Sequence, residues 1–277
     1  MKLFFILLIS LFLIITWTAF ERFTPRAEVV FFDVGQGDSF ILKTPAGKLI
    51  LVDGGPDWST LFGLGQYLPW QERTIDFVIL SHGHDDHLSA LPEIARRYRI
   101  KQVFLPASLQ GAAVEELLAA LENQGSAITY PQEPACLNLE VDCRLCIFPP
   151  SSEFLSSSDE NDFSLAVNFT CGGLSLAATG DAGVKRERSL LASGLIQEVK
   201  IFKAAHHGSI SANSLEFLRA LAPKMMVFSV GEGNPYGHPS QEVINRAKAE
   251  GIEIRRTDQD GELLFYSNNS KLYLKND

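Results

Sequence analysis

The sequence predicts an α/β or α+β fold with mixed sheets. Short apolar runs alternate with amphipathic stretches to the carboxyl end, and Gly-rich turns separate the first few runs. One near-continuous apolar run, Ile75–Leu80, has the character of a strand covered on both faces. The length of 277 residues, 46% hydrophobic and 21% charged, is enough for one large domain or two small ones.

Taken in order, Glu28–Asp33, Asp38–Lys43 and Lys48–Asp53 read as three consecutive strands, and Ile75–Leu80 as a fourth. Leu88–Tyr98 and Ala112–Asn123 read as helices, the second stopped at Gly125. Val141–Phe148 reads as a strand, and the Ser-rich stretch Ser151–Asp162 as a loop or insertion. Val167–Thr170, Leu174–Ala178 and Val199–Ala204 return to strand character. Leu215–Ala222 is helical and ends before Pro223; a strand over Met225–Val230, a helix over Gln241–Ala249 and strands from Ile252 to Leu274 complete the chain. There is no internal repeat and no coiled-coil heptad.

The first segment differs from the rest. Leu3 to Phe20 carries no charge, with Lys2 before it and Glu21, Arg22 and Arg26 after it. Such a stretch lies between a signal peptide and a spanning helix. We therefore expect an export signal or membrane anchor over residues 1–25 and one folded domain over 26–277, outside the cytoplasmic membrane. Export permits disulfides. Cys143 and Cys146 form a lone C-x-x-C on a strand, where residues three apart face opposite ways, so packing or one structural disulfide is expected there rather than a zinc half-site.

The formal net charge of −9 gives no general footprint for a polyanion, so a nucleic-acid role needs a local basic stripe. Two basic runs are available: Arg96, Arg97, Arg99 and Lys101, and then Lys185, Arg186 and Arg188. Either could guide a polyanion or be a solvated helix face.

The chemistry is concentrated in the histidines. There are only six, and they fall in three short segments: His82, His84 and His87; His206 and His207; His238. The first group stands in Ser81-His82-Gly83-His84-Asp85-Asp86-His87, directly after an apolar strand. Loops at the carboxyl ends of buried strands are where α/β proteins place reacting groups. Imidazole nitrogen and carboxylate oxygen together suit zinc and similar divalent ions. Adjacent side chains at a strand end point apart, so His206 and His207 are not expected to bind the same ion. Asp33 and Asp38 flank a Gln-Gly turn and read as turn-formers that also buttress the metal loops.

At these residues the sequence resembles the metallo-β-lactamase superfamily, whose His-x-His-x-Asp-His signature stands complete at His82–His87. Leu51-Val52-Asp53-Gly54-Gly55 resembles its upstream acidic turn, with Asp53 supporting the ligand loop. Ala178-Thr179-Gly180-Asp181 resembles the segment supplying a bridging carboxylate, and Lys203–Ser209 the final histidine motif. The resemblance implies a four-layer αββα sandwich, one or two divalent ions (zinc or manganese), and His82, His84, Asp86, His87, Asp181 and His206 as ligands. Within the superfamily, Phe32–Ser39, His206–Ser209 and Asn234–Pro239 are similar to the ComEC/Rec2 competence-protein catalytic module. Full-length members join that module to a membrane channel region, so the resemblance implies the hydrolase module alone, with phosphodiester hydrolysis as its activity.

One departure is visible. The superfamily usually has a further histidine between its first motif and the bridging aspartate, and none lies between His87 and Asp181. Asn161, Asp162, a water or a substrate oxygen is left to complete the set, or one ion binds tightly and another weakly. A bound metal lowers the pKa of water to about 7. Asp86 or Asp181 would then orient the attacking oxygen, and His238 or His207 would assist the leaving group or hold a phosphate oxygen. The expected substrate is DNA or another phosphodiester, with the membrane as a contact through the first segment and no protein partner implied. Cell-wall phosphodiesters, lactones and β-lactams are the rival substrates, and a non-catalytic binding module is the rival class.

Overall fold

The computed structural model describes residues 25–194, 196–268 and 271–275, with Phe4, Ile9 and Ser10 as isolated positions. The signal or anchor expected over residues 1–25 therefore falls almost wholly outside the described residues. No helix among the described residues is long and apolar enough to cross a membrane.

Among the described residues, fifteen strands form two sheets. The first runs in the order β15 (Lys271–Lys275), β14 (Leu263–Asn268), β1 (Glu28–Phe31), β2 (Phe40–Lys43), β3 (Leu49–Val52), β4 (Thr74–Ile79), β5 (Arg99–Phe104) and β6 (Ala127–Thr129). The second runs β13 (Glu253–Arg256), β12 (Met225–Phe228), β11 (Ile201–Lys203), β10 (Leu174–Ala178), β9 (Ala166–Cys171), β8 (Cys143–Phe148) and β7 (Ala135–Glu140). β3 to β6 are parallel, as are β10 to β13, while the remaining pairs are antiparallel.

Side-chain alternation explains the layers. Phe31, Phe40, Leu42 and Ile50 point between the sheets to meet Leu145, Phe169, Leu176 and Val227. Their neighbours Val30, Ile41 and Leu51 point outward, onto Leu64, Leu91 and Leu117 of the helices Ser59–Tyr67, Leu91–Arg97 and Ala112–Gln124. On the other side Phe202, Met226 and Phe228 face Leu190, Phe217 and Val243 of the helices Val184–Ala192, Leu215–Leu221 and Gln241–Ala249. Strands buried on both faces need apolar residues at every position. Each such side chain contributes roughly 1.5–3 kcal/mol on burial. The result is the four-layer αββα sandwich that the resemblance implies.

The helix Ser59–Tyr67 has no strong sequence signal, because Ser, Thr and two glycines are weak helix formers. Packing forms it. A Cβ at Gly63 would come within 2.4 Å of the Phe32 ring, so only glycine lets this backbone lie so close to the sheet. The Ser-rich stretch carries two short 3₁₀ turns, Ser152–Phe154 and Glu160–Phe163, rather than a plain loop.

All four cysteines are paired, in two bridges rather than one, Cys136–Cys146 and Cys143–Cys171. Each joins directly opposed residues on neighbouring antiparallel strands. Cys143 and Cys146 leave β8 on opposite faces, one between the sheets and one beneath the outer helices, so the three strands β7, β8 and β9 are tied from both sides. The double substitution Cys136→Ser/Cys146→Ser should lower unfolding stability by about 3 kcal/mol, the loop-entropy value for so short a ring. Urea unfolding of the two proteins measures it, and an unchanged midpoint would mean that this bridge does not constrain the chain.

Candidate metal centre

The carboxyl ends of β3, β4, β10 and β11 come together at one edge of the sandwich, and each is followed by a loop bearing polar side chains. Asp53 follows β3, Ser81 to His87 follow β4, Asp181 follows β10, and His206 and His207 follow β11. Both sheets therefore contribute to one crevice.

Asp53 holds the first loop. It sits in the left-handed region at φ 59° and accepts from the Ser81 backbone N–H at 2.6 Å and the Ser81 hydroxyl at 2.8 Å. Its other contact is His87 Nδ1 at 2.9 Å. Asp38 is buried beside it, in an ion pair with the wholly buried Lys203, and it lies 3.4 Å from His207 Nδ1 and 3.8 Å from His87 Nδ1. The Asp38 N–H also donates to the Asp86 carbonyl at 3.1 Å. Gly37 makes that approach possible, since a Cβ there would stand 2.3 Å from the same carbonyl. Asp33 takes no part in this buttress: it is exposed, and its carboxylate receives the Gly35 N–H at 3.3 Å.

All six histidines are linked by ring contacts. His82 lies 4.6 Å from His84 and 4.2 Å from His87, His87 5.3 Å from His207, and His206 6.3 Å from His207 and 5.9 Å from His238. Five of them have one nitrogen partnered outward and the other turned inward. The outward partners are Ser81 Oγ for His82 (3.0 Å), Asp53 for His87, the Ser229 carbonyl for His207 (3.0 Å) and Ser211 Oγ for His206 (3.5 Å). His84 is turned the other way: its Nδ1 meets His82 Nε2 at 3.0 Å, while Glu160 stands 3.8 Å from its Nε2. Outward partners of this kind fix which nitrogen is free to bind.

The inward atoms gather on Asp181. Its carboxylate lies 3.4 Å from His87 Nε2, 3.9 Å from His82 Nε2, and 3.6 Å from Nε2 of both His206 and His207. Asp86 is 3.2 Å from His207 Nε2 and 3.8 Å from His87 Nε2. Two sets, His82–His87–Asp181 and Asp86–His87–His207, each bring three donor atoms within 4.8 Å of one another. Two further sets of that size use Asp38, whose charge is already met by Lys203.

The structure brings both adjacent histidines to Asp181. His207 is buried among the donors, and His206 is the more exposed of the two, on the side toward His238. The strand rule fails because both residues have left-handed backbone, φ 48° and 52°, in a tight turn where neighbouring side chains can converge. Asn213 pins that turn by receiving the Ala205 N–H and donating to the Ala205 carbonyl. His238 is half-buried, stacked 6.0 Å from the exposed Tyr236 ring. Asp162, suggested as a completing ligand, instead accepts from Ser157 Oγ at 2.6 Å; Asn161 Oδ1 is buried without a hydrogen-bond partner. Glu160, their neighbour, is the residue that reaches His84. Lys203, Ser81 and Glu160 were not singled out from sequence. Lys203 is one of two charges, with Lys200, that interrupt the apolar run Val199–Ala204, and spacing alone does not separate them.

The electrostatics favour a cation. Burial pushes Asp181 and Asp38 upward, but His207 and His87 outweigh it for Asp181, and Lys203 and His207 for Asp38, so both carboxyls stay below the usual range. Burial would lower His207, yet Asp181 and Asp38 lift it to about 9; Asp181 and Asp53 lift His87 in the same way. Burial lowers His82, His206 and His238. His87 Nε2, His207 Nε2 and Asp181 Oδ1 are buried with no hydrogen-bond partner, which is costly unless a cation meets them. A mixed imidazole and carboxylate donor set of this size fits zinc or a similar divalent ion.

Residues 32–107 match the family model described as the Metallo-beta-lactamase superfamily. The chain is 26% identical over 258 residues to ComE operon protein 3 of Bacillus subtilis, covering 87% of this chain and 33% of that protein. It is 29% identical over 249 residues to competence protein ComA of Neisseria gonorrhoeae, covering 87% of this chain and 32% of that protein. The chain thus spans about a third of the length of these relatives. In architecture it is similar to the metallo-beta-lactamase fold protein YhfI of Bacillus subtilis, with a TM-score of 0.60, 13% identity, and coverage of 87% of this chain and 100% of that one. The matched segment includes Asp53 and the whole His82–His87 loop, and both relatives extend the likeness past the remaining donors: over this segment the chain matches the metallo-β-lactamase superfamily, and over most of its length it is similar to competence proteins.

Proposed function

We propose that the chain is an extracytoplasmic, metal-dependent phosphodiesterase that cleaves DNA. The observation that carries this reading is the convergence of inward-facing histidine nitrogens on Asp181 and Asp86, in a chain related to competence proteins. His82 Nε2, His84 Nδ1 and Asp181 would hold one ion, and Asp86, His87 and His207, with Asp181, a second. When bound, such an ion supplies Lewis acidity, polarising a phosphoryl oxygen and activating water near neutral pH. Asp86, partly exposed at the rim, orients the attacking water. His206 and His238 flank the open side; burial keeps both neutral at pH 7, so each offers a ring N–H to a phosphate oxygen. The exposed Tyr236 ring offers a surface on which a base can stack. Residues 1–25 would form the export signal or anchor, and the two disulfides support an oxidising compartment.

The two basic runs support guidance of a polyanion unequally. Arg96 and Arg97 are paired with Glu93 and Glu116, and Lys101 with Asp76. Arg186 is buried and donates to the Phe148 and Pro149 carbonyls. Arg99, Lys185 and Arg188 remain, and the last two line a groove of about 630 Å³ with Ser157 and Asp162 of the Ser-rich stretch. We assign the approach of the strand to that groove.

Purified protein should cleave single- or double-stranded DNA and bis(p-nitrophenyl) phosphate only when loaded with zinc or manganese, and Asp86→Ala should abolish both activities. DNA cleavage should fall steeply with added salt, since each neutralised phosphate releases counterions, while the small diester should respond little. Bound metal without diesterase activity would move lactones, β-lactams and cell-wall substrates to the front.

Metal uptake should release protons from His87 and His207. Apparent affinity is then expected to rise with pH until His207 loses its proton near pH 9, as read by competition with a chelator. Flat affinity between pH 6 and about 9 would contradict the assignment of these two histidines. Glu160→Ala should weaken the ion at His82 and His84 by roughly 10-fold, the usual cost of losing the partner behind a ligating histidine. Glu160→Asp, which keeps the carboxylate, is expected to recover part of that loss.

A further inference from the structure

Three exposed aromatic side chains lie on and just beyond the helix Ser59–Tyr67. Trp58 is 55% exposed, Phe62 66% and Trp70 82%. Trp58 caps the helix Ser59–Tyr67, Phe62 follows one turn later on the same side, and Trp70 stands three residues beyond the helix end. The opposite face of this helix is fully used, with Leu64 and Gly63 packed onto the sheet. Nothing in the catalytic reading needs three large apolar groups in water here.

Basic side chains accompany this end of the domain. The Arg97 guanidinium lies 5.3 Å over the exposed Trp58 ring, and beside the same helix Lys43 Nζ lies 5.7 Å over the half-buried Tyr67 ring. Exposed tryptophans flanked by long basic side chains are the composition of the membrane headgroup layer, where an amphipathic group keeps its ring in the apolar boundary and its charge in water.

The position of the chain's entry argues for the same occupant. Tyr67, at the end of the helix, donates its hydroxyl to Glu28, and Glu28 also receives Arg26 Nε at 2.6 Å. Arg26 follows the uncharged apolar stretch of residues 3–20 by six positions. Six residues reach at most about 20 Å, so wherever that stretch enters a bilayer, the Tyr67–Trp70 end of the helix is held close to the same surface.

We propose that the outer face of this helix, carrying Trp58, Phe62 and Trp70, lies in the headgroup layer of a lipid membrane. The proposal rests on the anchor reading given above, and it adds that the folded domain itself lies against the lipid rather than hanging from a tether.

The test uses the full chain in a Trp17→Phe background, so that of its three tryptophans only Trp58 and Trp70 emit. The protein is bound to phosphatidylcholine vesicles with plain or brominated acyl chains, and a further Trp70→Phe version isolates Trp58. Loss of emission from both tryptophans on brominated lipid is expected. Vesicle binding with unquenched Trp58 would overturn the proposal while leaving the anchor reading intact. Failure to sediment with vesicles at all would overturn both. A stripe buried instead against a second copy would show as dimers in detergent with no response to bromine, and would also overturn it.

Discussion

Three carboxylates, Asp38, Asp53 and Asp181, are buried within reach of the same imidazoles, and Asp86 joins them at the rim. Like charges so placed repel strongly away from water, and the arrangement stands only where positive charge is supplied. Lys203 supplies one unit permanently, from a position with no exposure. His87 and His207 supply more by holding protons, and a divalent ion would take their place. The rest of the crevice follows from this demand. Ser81 donates twice to Asp53, Gly37 lets Asp38 approach the Asp86 backbone, and Asn213 holds the His206–His207 turn in its left-handed form.

The sheets are arranged to serve that crevice. Parallel strands end in the same direction, so the loops after β3 and β4 in one sheet, and after β10 and β11 in the other, can face each other across one edge. The antiparallel strands on the far side carry no donor; there the disulfides and the core between the sheets make a stiff wall. Outward partners on His82, His87 and His207 then leave little freedom for the inward nitrogens.

Much of this was legible in the sequence, and for physical reasons. Histidines confined to three segments, after apolar runs, marked the crevice, and short apolar runs marked the buried strands at Glu28–Asp33 and Leu174–Ala178. What was not legible depends on tertiary contact. The helix Ser59–Tyr67 is formed by packing of Gly63 onto Phe32 rather than by propensity. The convergence of His206 and His207 on Asp181 follows from positive φ values that no neighbour rule foresees. Glu160 reaches His84 because Leu165 N–H donates to the Ser81 carbonyl, tying the Ser-rich stretch to the first loop across more than 80 positions. The second disulfide needed strand register, which spacing of cysteines does not contain.

That the donors come from both sheets has a consequence for the order in which the molecule can be completed. A chain synthesised only as far as β9 holds His82, His84, Asp86 and His87, but lacks Asp181 and His207. Such a half can present isolated imidazoles to an ion, but not the shared carboxylate that draws them together. Tight loading therefore waits for the last parallel strands to dock, and the ion, once held, clamps two halves that are separated by nearly a hundred residues. Occupancy of the site is in this sense a report that the whole sandwich has closed.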